Sequence, residues 1–304
     1  MTTLDFLHLK PNKLQSIGVF DSGMGGLTVL RQLMALLPNE HFIYLGDTAR
    51  LPYGTKSRET VIRYSLQNAK LLIEKNIKLL VIACNTASSV ALTELQQQYP
   101  HVPIVSVLEP GAQSAVSSTR NRHIAVLATE TTINTGGYQN AIRNLDPMAV
   151  VITQSCSTLV ALAEEGWINN KVAKAAIEEY LTPMQEQGFK CDCVVLGCTH
   201  FPVFKELLRE TIKDNEVCII DSGESAATVV KQVLSELKLK SPKKTDIKPN
   251  EFLVTDSPQR FIRTGKLFLN QPIAADTVTL IENHYNLSTQ PTHFFNEGLD
   301  MESV

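Results

Sequence analysis

Two cysteines stand at matching places in two similar passages of this 304-residue chain. Cys84 follows the apolar run Val81–Ala83, and Cys198 follows the run Val195–Gly197. Small polar residues come directly after each sulfur, which is typical of the carboxyl end of a buried parallel strand, where open α/β sheets bind ligands. One such thiol indicates a nucleophile. Two thiols in matching positions indicate a chemistry that is itself symmetric.

Two opposed thiols can invert the configuration of a carbon acid that is held between them. One thiolate removes a proton while the opposite thiol delivers one to the other face, and the reverse reaction exchanges these roles. Cysteine suits both roles because its ordinary pKa of about 8.5 lies close to neutrality. The scheme needs neither a metal nor an organic cofactor, and we expect neutral donors near the strand ends to hold the substrate carboxylate.

The neighbours of each cysteine strengthen this interpretation, although each has a structural alternative. Asn85 and Thr86 offer donors directly after Cys84, and amides at the start of a helix lower a thiol pKa. His200 stands two residues after Cys198, where an imidazole can assist the sulfur. Taken singly, a buried thiol or a lone histidine is more often a packing residue, so the hypothesis depends on their pairing.

Two loops that follow predicted strands add further candidates. The Gly-rich loop Asp21–Gly26 allows a ligand to approach the backbone closely, but it is also compatible with a capped turn. It lacks the lysine of a phosphate-binding loop and the dinucleotide spacing, which disfavours nucleotide binding. The loop Asp47–Gly54 can bring the Tyr53 hydroxyl to a ligand, or it can simply pack an aromatic ring.

Apolar runs alternate with helical stretches along the chain, which predicts an α/β fold of doubly wound parallel sheets. The chain contains an internal repeat, because Ile17–Ser22 resembles Ile124–Thr129 and each is followed by its own cysteine motif. We therefore expect two pseudo-symmetric domains that face each other across a central cleft. The expected domains are residues 1–107 plus 215–304, with Asp21 and Cys84, and residues 108–214, with Cys198 and His200.

The individual elements are predicted from short apolar runs and from helical spacing. Strands are expected at Ile17–Phe20, Phe42–Leu45, Leu79–Ala83, Ile104–Leu108, Ile124–Leu127, Val150–Thr153, Val194–Leu196 and Val217–Ile220. Helices are expected at Leu27–Leu37, Ser57–Lys75, Ala87–Gln98, Gly136–Asn144, Lys171–Glu186 and Val203–Lys213.

Composition and charge narrow the functional classes. The formal net charge of −3 gives no electrostatic reason to expect nucleic acid or an anionic membrane as a partner. No stretch is apolar enough to span a bilayer, and residues 1–14 have no signal-peptide core. Cysteine spacing suggests reduced thiols, and Cys191-Asp192-Cys193 lacks a second ligand pair apart from Cys198 and His200. We expect a cytoplasmic protein without a bound metal.

Several passages together resemble one known family. They are Ile17–Leu27, Tyr44–Ser57, Val81–Ala87, Val107–Ala112, Ile124–Tyr138, Val194–Pro202 and Ile219–Glu224. With these motifs in this order, the chain resembles the glutamate racemases of the cofactor-independent aspartate/glutamate racemase family. The resemblance implies interconversion of L- and D-glutamate without a cofactor, which supplies D-glutamate for bacterial peptidoglycan. A homodimer is the assembly expected for this fold.

The resemblance also implies roles for particular residues. Cys84 and Cys198 would be the two acid/base thiols, with Asp21 assisting the first and His200 assisting the second. Substrate-contacting positions of the family fall on Ser22, Pro52, Tyr53, Gly54, Asn85, Thr86, Thr129, Thr132 and Thr199.

Two questions stay open at the level of sequence. A further family glutamate falls on Glu164, but Glu165 stands next to it, and carboxylates at a helix end are mostly solvated. The alternatives to glutamate racemisation are racemisation of aspartate or hydantoins, Cys-His acyl transfer by Cys198 and His200, and non-catalytic amino-acid binding. A one-thiol decarboxylase of the same fold would lack one of the two cysteines.

Overall fold

The computed structural model describes residues 11–186, 190–242 and 249–281, which form two parallel β-sheets connected by helices. The strands are β1 (Ile17–Asp21), β2 (Phe42–Gly46), β3 (Leu79–Ile82), β4 (Ile104–Ser106), β5 (His123–Ala128), β6 (Val150–Ser155), β7 (Cys193–Gly197), β8 (Cys218–Asp221), β9 (Glu251–Val254) and β10 (Val278–Leu280). The helices are α1 (Leu27–Leu36), α2 (Arg58–Glu74), α3 (Asn85–Gln98), α4 (Leu108–Ser118), α5 (Glu130–Asn134), α6 (Gly137–Leu145), α7 (Thr158–Glu164), α8 (Lys171–Glu186), α9 (Lys205–Ile212), α10 (Ser222–Glu236) and α11 (Pro258–Leu269). Within these residues, no helix is long and apolar enough to cross a membrane.

The two sheets repeat one strand order, which confirms the predicted pseudo-symmetric α/β architecture. The first sheet has the order β10-β9-β2-β1-β3-β4, and the second has the order β6-β5-β7-β8. The stretch β2-β1-β3-β4 therefore corresponds to the whole second sheet, with β1 equivalent to β5 and β3 equivalent to β7. The two cysteine motifs follow β3 and β7, so they leave their sheets at equivalent positions.

The central strands are buried along their whole length. Every residue of β1, β3 and β7 is buried, as expected for parallel strands that are covered on both faces. Their nearly continuous apolar sequence leaves no solvated face within the strand. Polar side chains are therefore confined to the carboxyl ends, where Asp21, Cys84 and Cys198 lie.

Two helices connect the halves, because each follows a strand of one sheet and packs against elements of the other half. Helix α4 follows β4 of the first sheet, yet it packs against α6 and β7 of the second half. Helix α10 follows β8 of the second sheet, yet it packs against α1 of the first half and against α4. Neither α4 nor α10 was among the predicted helices.

One strand lies in a different half from the one predicted. Strand β8 pairs in parallel with β7, so it belongs to the second sheet, although residues 215–304 were expected with the first domain. The chain returns to the first sheet with β9, which pairs with β2. The apolar sequence of β8 resembles that of any buried parallel strand, and only its pairing identifies its sheet.

Several predicted boundaries differ from the structure by one or two residues, and two of them have a clear local cause. The strand expected at Ile104–Leu108 ends at Ser106, because the Ser106 hydroxyl accepts a hydrogen bond from the Leu108 amide at 3.2 Å and α4 begins there. The helix expected at Val203–Lys213 is preceded by a 3₁₀ turn at Phe201–Phe204, so α9 begins later.

Candidate active site

Cys84 is held at the start of α3. It is the N-cap residue of that helix, and its Sγ accepts a hydrogen bond from the Ala87 amide at 3.4 Å. Burial and the negative charge of Asp21 raise the pKa of the Cys84 thiol to about 12, and the amide of Ala87 only partly offsets them. The Ala87 amide lowers this pKa as expected, but burial and the charge of Asp21 outweigh it. A pKa this far above neutrality favours the neutral thiol at physiological pH.

Asp21 ends β1 and is completely buried. Its Oδ2 accepts the Gly23 amide at 2.9 Å, and its Oδ1 accepts the Thr199 hydroxyl of the other half at 3.4 Å. Burial raises the pKa of Asp21, while the charge of His200 and the amides of the Gly-rich loop act in the opposite direction. A buried carboxyl with a raised pKa can hold or pass a proton near a thiol.

Cys198 has a cationic neighbour rather than a lone carboxylate. Its Sγ lies 3.8 Å from His200 Nδ1, and His200 Nε2 lies 3.2 Å from Glu164 Oε1. Burial disfavours the charged imidazolium, but the hydrogen bonds and electrostatic interactions with Cys198 and Glu164 outweigh it and raise the pKa of His200 to about 10. A protonated imidazole donates from both nitrogens, so His200 can serve the sulfur and the carboxylate together.

The two neighbouring glutamates have different environments. Glu164 is the last residue of α7, its side chain is 7% exposed, and it contacts His200. The Glu165 side chain is 66% exposed and contacts Arg260. Of the two glutamates left open by the sequence, Glu164 is therefore the one that lies in the site.

Three threonine hydroxyls meet where the two halves approach each other. Thr86 lies in the first turn of α3, whereas Thr129 and Thr132 belong to the start of α5 in the second half. The Oγ1 atom of Thr86 lies 3.0 Å from that of Thr129 and 3.1 Å from that of Thr132. Hydroxyls rotate freely between donating and accepting, so this cluster can turn its protons toward a carboxylate.

Cys84 and Cys198 line one small cavity of about 20 Å³, which has room for about one water molecule. No lysine or arginine is among its lining residues in the described part of the chain, so neutral donors and His200 face the interior. The cavity is lined by Ser22, Leu51, Pro52, Tyr53, Gly54, Cys84, Asn85, Thr86, Thr129, Val160, Glu164, Cys198, Thr199 and His200.

Comparison with known proteins identifies the family. The model of the Asp/Glu/Hydantoin racemase family matches residues 17–230. The chain belongs to this family. A glutamate racemase from Geobacter metallireducens is 47% identical to it over 255 residues, which cover 84% of this chain and 93% of the relative.

Solved racemase structures resemble the whole architecture. The crystal structure of a glutamate racemase from Francisella tularensis in complex with D-glutamate has a TM-score of 0.81 and 34% identity, covering 89% of this chain and 98% of that one. An aspartate racemase from Picrophilus torridus has a TM-score of 0.51 and 17% identity, covering 75% of this chain and 100% of that one, and it shows the fold alone.

All the site residues predicted for this racemase-family chain lie together. Most of them line the cavity directly. Two of them contact lining residues instead. Asp21 contacts Thr199, and Thr132 contacts Thr86. The residues come from both halves of the molecule, as the predicted cleft requires.

The Tyr53 hydroxyl is hydrogen-bonded to two residues that do not line the cavity. It donates to Asp47 Oδ2 and accepts from Asn68 Nδ2 at 3.0 Å, and burial together with the Asp47 charge raises the pKa of Tyr53 well above its ordinary value. Asp47 is itself held by Arg50 at 2.7 Å and by the Thr255 hydroxyl at 3.0 Å. This network fixes the loop that contributes Tyr53 to the cavity. Asp47, Arg50 and Tyr53 are near neighbours in the chain, but no short residue pattern indicates that they bind one another or that Thr255 reaches them.

Asn85 is also oriented by residues that the sequence did not single out. Its Oδ1 accepts the Tyr138 hydroxyl at 2.7 Å, and its Nδ2 donates to Ser222 Oγ at 3.3 Å. Both partners come from outside the first sheet, from α6 and from the start of α10. The amide of Asn85 is therefore held in a single orientation beside the cavity.

Two glycines allow the halves to meet at the site. A Cβ atom at Gly25 would lie 2.4 Å from His200 Nδ1 and 2.5 Å from Thr199 Oγ1. A Cβ atom at Gly54 would lie 2.5 Å from the Cβ of Thr129. All three distances are shorter than any ordinary contact of a Cβ atom, so side chains at these positions would push the halves apart.

No group of three or more metal-binding side chains occurs among the described residues, and Cys191 and Cys193 form no such group with their neighbours. A larger cavity of about 430 Å³ lies at the start of β7, near Cys191 and Asp192, far along the sheet from the two thiols. Its size exceeds that of the thiol cavity, but it contains none of the paired acid/base groups.

Proposed function

We propose that this protein interconverts L- and D-glutamate by transferring protons between the substrate and the opposed thiols of Cys84 and Cys198. The observation that carries the proposal is that both buried thiols line one cavity, each with its own acid/base neighbour. Relatives named glutamate racemase, and the solved relative in complex with D-glutamate, support the choice of substrate.

The proposed reaction breaks one C–H bond and forms another on the opposite face. The thiolate of one cysteine takes the α-proton, so that an S–H bond forms as the C–H bond breaks. The thiol of the other cysteine then donates its proton to the α-carbon from the other side. No proton is gained or lost overall, and the two cysteines exchange protonation states with each turnover.

The neighbours of the thiols would manage these protonation states. Asp21 accepts or returns a proton beside Cys84, where a raised carboxyl pKa keeps both of its forms accessible. On the other side, the protonated His200 donates toward Cys198, and Glu164 balances its charge. The two carboxylates and the amino group of glutamate would be held by the neutral donors of the lining, including the threonine hydroxyls.

Glutamate is much larger than the cavity of about 20 Å³ between the thiols. Substrate entry therefore requires the two halves to separate, and closure over the substrate would exclude water and align both sulfurs with the α-carbon. We propose that the enzyme works in the cytoplasm of a bacterial cell and that its D-glutamate is used for peptidoglycan. The homodimer expected from the fold stays a prediction.

The direct test is to incubate the purified protein with each glutamate enantiomer in D₂O, after dialysis against a chelator and without added cofactor. Circular dichroism should decay to zero from either enantiomer, and proton NMR should show loss of the α-proton signal as solvent deuterium enters. A folded sample that causes neither change would contradict the proposal.

Parallel incubations decide between the alternatives. Racemisation of aspartate or of a hydantoin at a higher kcat/KM than glutamate would reassign the substrate within the family. Saturable glutamate binding by calorimetry, without any isotope exchange, would indicate a binding protein. Formation of a covalent thioester from an activated acyl compound would indicate Cys-His acyl transfer.

A further inference from the structure

Arg260 lies on α11 and reaches the acid/base site of the other half. Helix α11 packs against α1 and β10 of the first half, whereas Glu164 and Glu165 end α7, which packs against α8 in the second half. Arg260 Nη2 lies 3.5 Å from Glu164 Oε2 and 3.2 Å from Glu165 Oε1. This ion pair therefore joins the two halves directly behind the proposed catalytic groups.

The two oxygens of the Glu164 carboxylate are divided between two partners. Oε1 faces His200 Nε2 at 3.2 Å, and Oε2 faces Arg260 Nη2 at 3.5 Å. A carboxylate that is held at both oxygens cannot rotate freely, so the direction of Oε1 depends on the contact at Oε2. Glu165 contacts the same guanidinium nitrogen and helps to keep Arg260 over its neighbour.

The same helix also touches His200 directly. Phe268 is completely buried on α11, two turns after Arg260, and its ring meets the His200 ring edge-on at a centroid distance of 5.2 Å. Residues eight positions apart fall within one broad face of a helix. One face of α11 therefore contacts both Glu164 and His200, although this helix belongs to the opposite half of the molecule.

We propose that Arg260 is a positioning residue that aims Glu164 at His200 when the two halves are closed. The proposal rests on the proposed function, in which His200 assists Cys198. Because Arg260 and Glu164 belong to different halves, separating the halves breaks this contact. The relay behind Cys198 is then complete only in the closed arrangement, which couples closure over the substrate to proton transfer.

If the ion pair of Arg260 only stabilised the fold, its loss would lower the melting temperature and activity together. The Arg260 side chain is 44% exposed, and although Glu164 is buried, its contact with Arg260 is long at 3.5 Å, so a pair with one solvated partner contributes little to folding stability. Loss of Arg260 should therefore leave the melting temperature within about 2 °C of the parent. A positioning role instead predicts a loss of activity without a matching loss of stability.

The kinetic test compares R260Q and R260K with R263Q, which removes an exposed arginine from the same helix. We expect kcat/KM for glutamate to fall about tenfold in R260Q, to recover partly in R260K and to stay at the parental value in R263Q. Equal losses in R260Q and R263Q, or a loss in R260Q that follows a large drop in melting temperature, would overturn the proposal.

A second measurement does not depend on turnover. The ring nitrogens of His200 can be followed by NMR in protein labelled with ¹⁵N-histidine, with H200N used for assignment. Cys198, Glu164 and Asp21 face this ring, and contacts with Cys198 and Glu164 raise the pKa of His200 to about 10 in the parent, against the effect of burial.

In R260Q the positioning role predicts a lower pKa of His200, because Glu164 turns away. Removing a nearby cation without moving Glu164 would raise that pKa instead, so an unchanged or raised value contradicts positioning. If the parent fails to racemise glutamate while the pKa of His200 falls in R260Q, the proposed function fails and the positioning role stands. If the parent racemises glutamate and R260Q matches it in both measurements, only the positioning role fails.

Discussion

The two half-sites occupy equivalent places in the two sheets, yet they hold their thiols in opposite electrostatic environments. Cys84 caps a helix beside the carboxyl of Asp21, and burial together with the Asp21 charge raises the pKa of the thiol to about 12. Cys198 is followed by a 3₁₀ turn and lies beside His200, whose own pKa is raised to about 10 by Cys198 and Glu164 despite burial. One sulfur faces an acid, and the other faces a cation.

This difference teaches that a duplicated strand order preserves the position of a residue but not its chemistry. The backbone of each sheet delivers a cysteine to the same edge, because parallel strands end on the same side. The neighbours come from other segments, which are free to differ between the halves. A two-base reaction needs one thiol and one thiolate at the same time, and unlike neighbours favour that division.

The largest expected effect comes from removing either thiol. C84A and C198A should each lower kcat/KM for racemisation by about 10³-fold, because each removes one of the two acid/base groups. In D₂O, each variant should still exchange the α-proton of one enantiomer without inversion, through the thiol that is left, and the two variants should differ in which enantiomer exchanges. Proton NMR and circular dichroism follow the two processes separately.

The half-buried Cys191, which lies near the larger cavity, provides the control for this pair. C191A should keep parental activity in both directions. If C84A or C198A racemises glutamate at near the parental rate, the sites are not two halves of one reaction.

A smaller loss is expected where the halves touch through glycine. In G25A the new Cβ would lie 2.4 Å from His200 Nδ1, so either His200 moves or the halves separate. We expect kcat/KM to fall about 10²-fold, since small displacements of acid/base groups have effects of this size. In the control G23A the nearest atom is a Leu51 side-chain carbon at 3.3 Å, and steady-state kinetics should show a much smaller loss.

Changes to the assisting residues should show kinetically which residue assists which thiol, and they should lower the rate less than the changes above. D21N and H200N should each lower kcat/KM by about tenfold to a hundredfold. The loss must be equal in both directions within each variant, because two enantiomers have an equilibrium constant of one. The halves are therefore distinguished by the primary isotope effects on kcat/KM with α-deuterated D- and L-glutamate.

Loss of an assisting residue slows proton removal by the thiol that it assists, relative to proton delivery by the opposite thiol. The isotope effect should therefore rise for one enantiomer in D21N and for the opposite enantiomer in H200N. The same enantiomer responding in both variants would show that Asp21 and His200 assist the same sulfur.

The smallest effect concerns stability and its dependence on pH. The pKa of His200 is raised from 6.5 to about 10 on folding, although burial alone would lower it. The stabilisation from its charged form is then fully present below pH 6.5 and is lost as the pH rises through about 10. The difference in melting temperature between the parent and H200N should shrink over this range in calorimetric scans, and a constant difference would contradict the raised pKa.

Much of the architecture follows from patterns of neighbouring residues. The apolar runs predicted all eight strands of the two equivalent four-stranded units, because buried parallel strands are apolar along their whole length. Strands β9 and β10 and several helices were not predicted. The two strands are only four and three residues long, and helix α11 was missed although its sequence has one apolar face.

In the site, too, neighbouring residues predicted some features, whereas others depend on contacts between distant parts of the chain. The sequence placed Cys84 and Cys198 at strand ends, but the spacing alone did not choose between Glu164 and Glu165. The choice depends on which carboxylate reaches His200, and that contact joins residues 36 positions apart.

By itself, the sequence determined the α/β class, the two equivalent strand ends and the residue types that they present. These depend on local periodicity and on the chemistry of single side chains. Only the tertiary structure decided that Thr255 binds Asp47, that burial beside Asp21 raises the pKa of Cys84, and that Arg260 contacts Glu164. Each of these results depends on charges and donors brought together across long stretches of chain, which no short pattern of residues records.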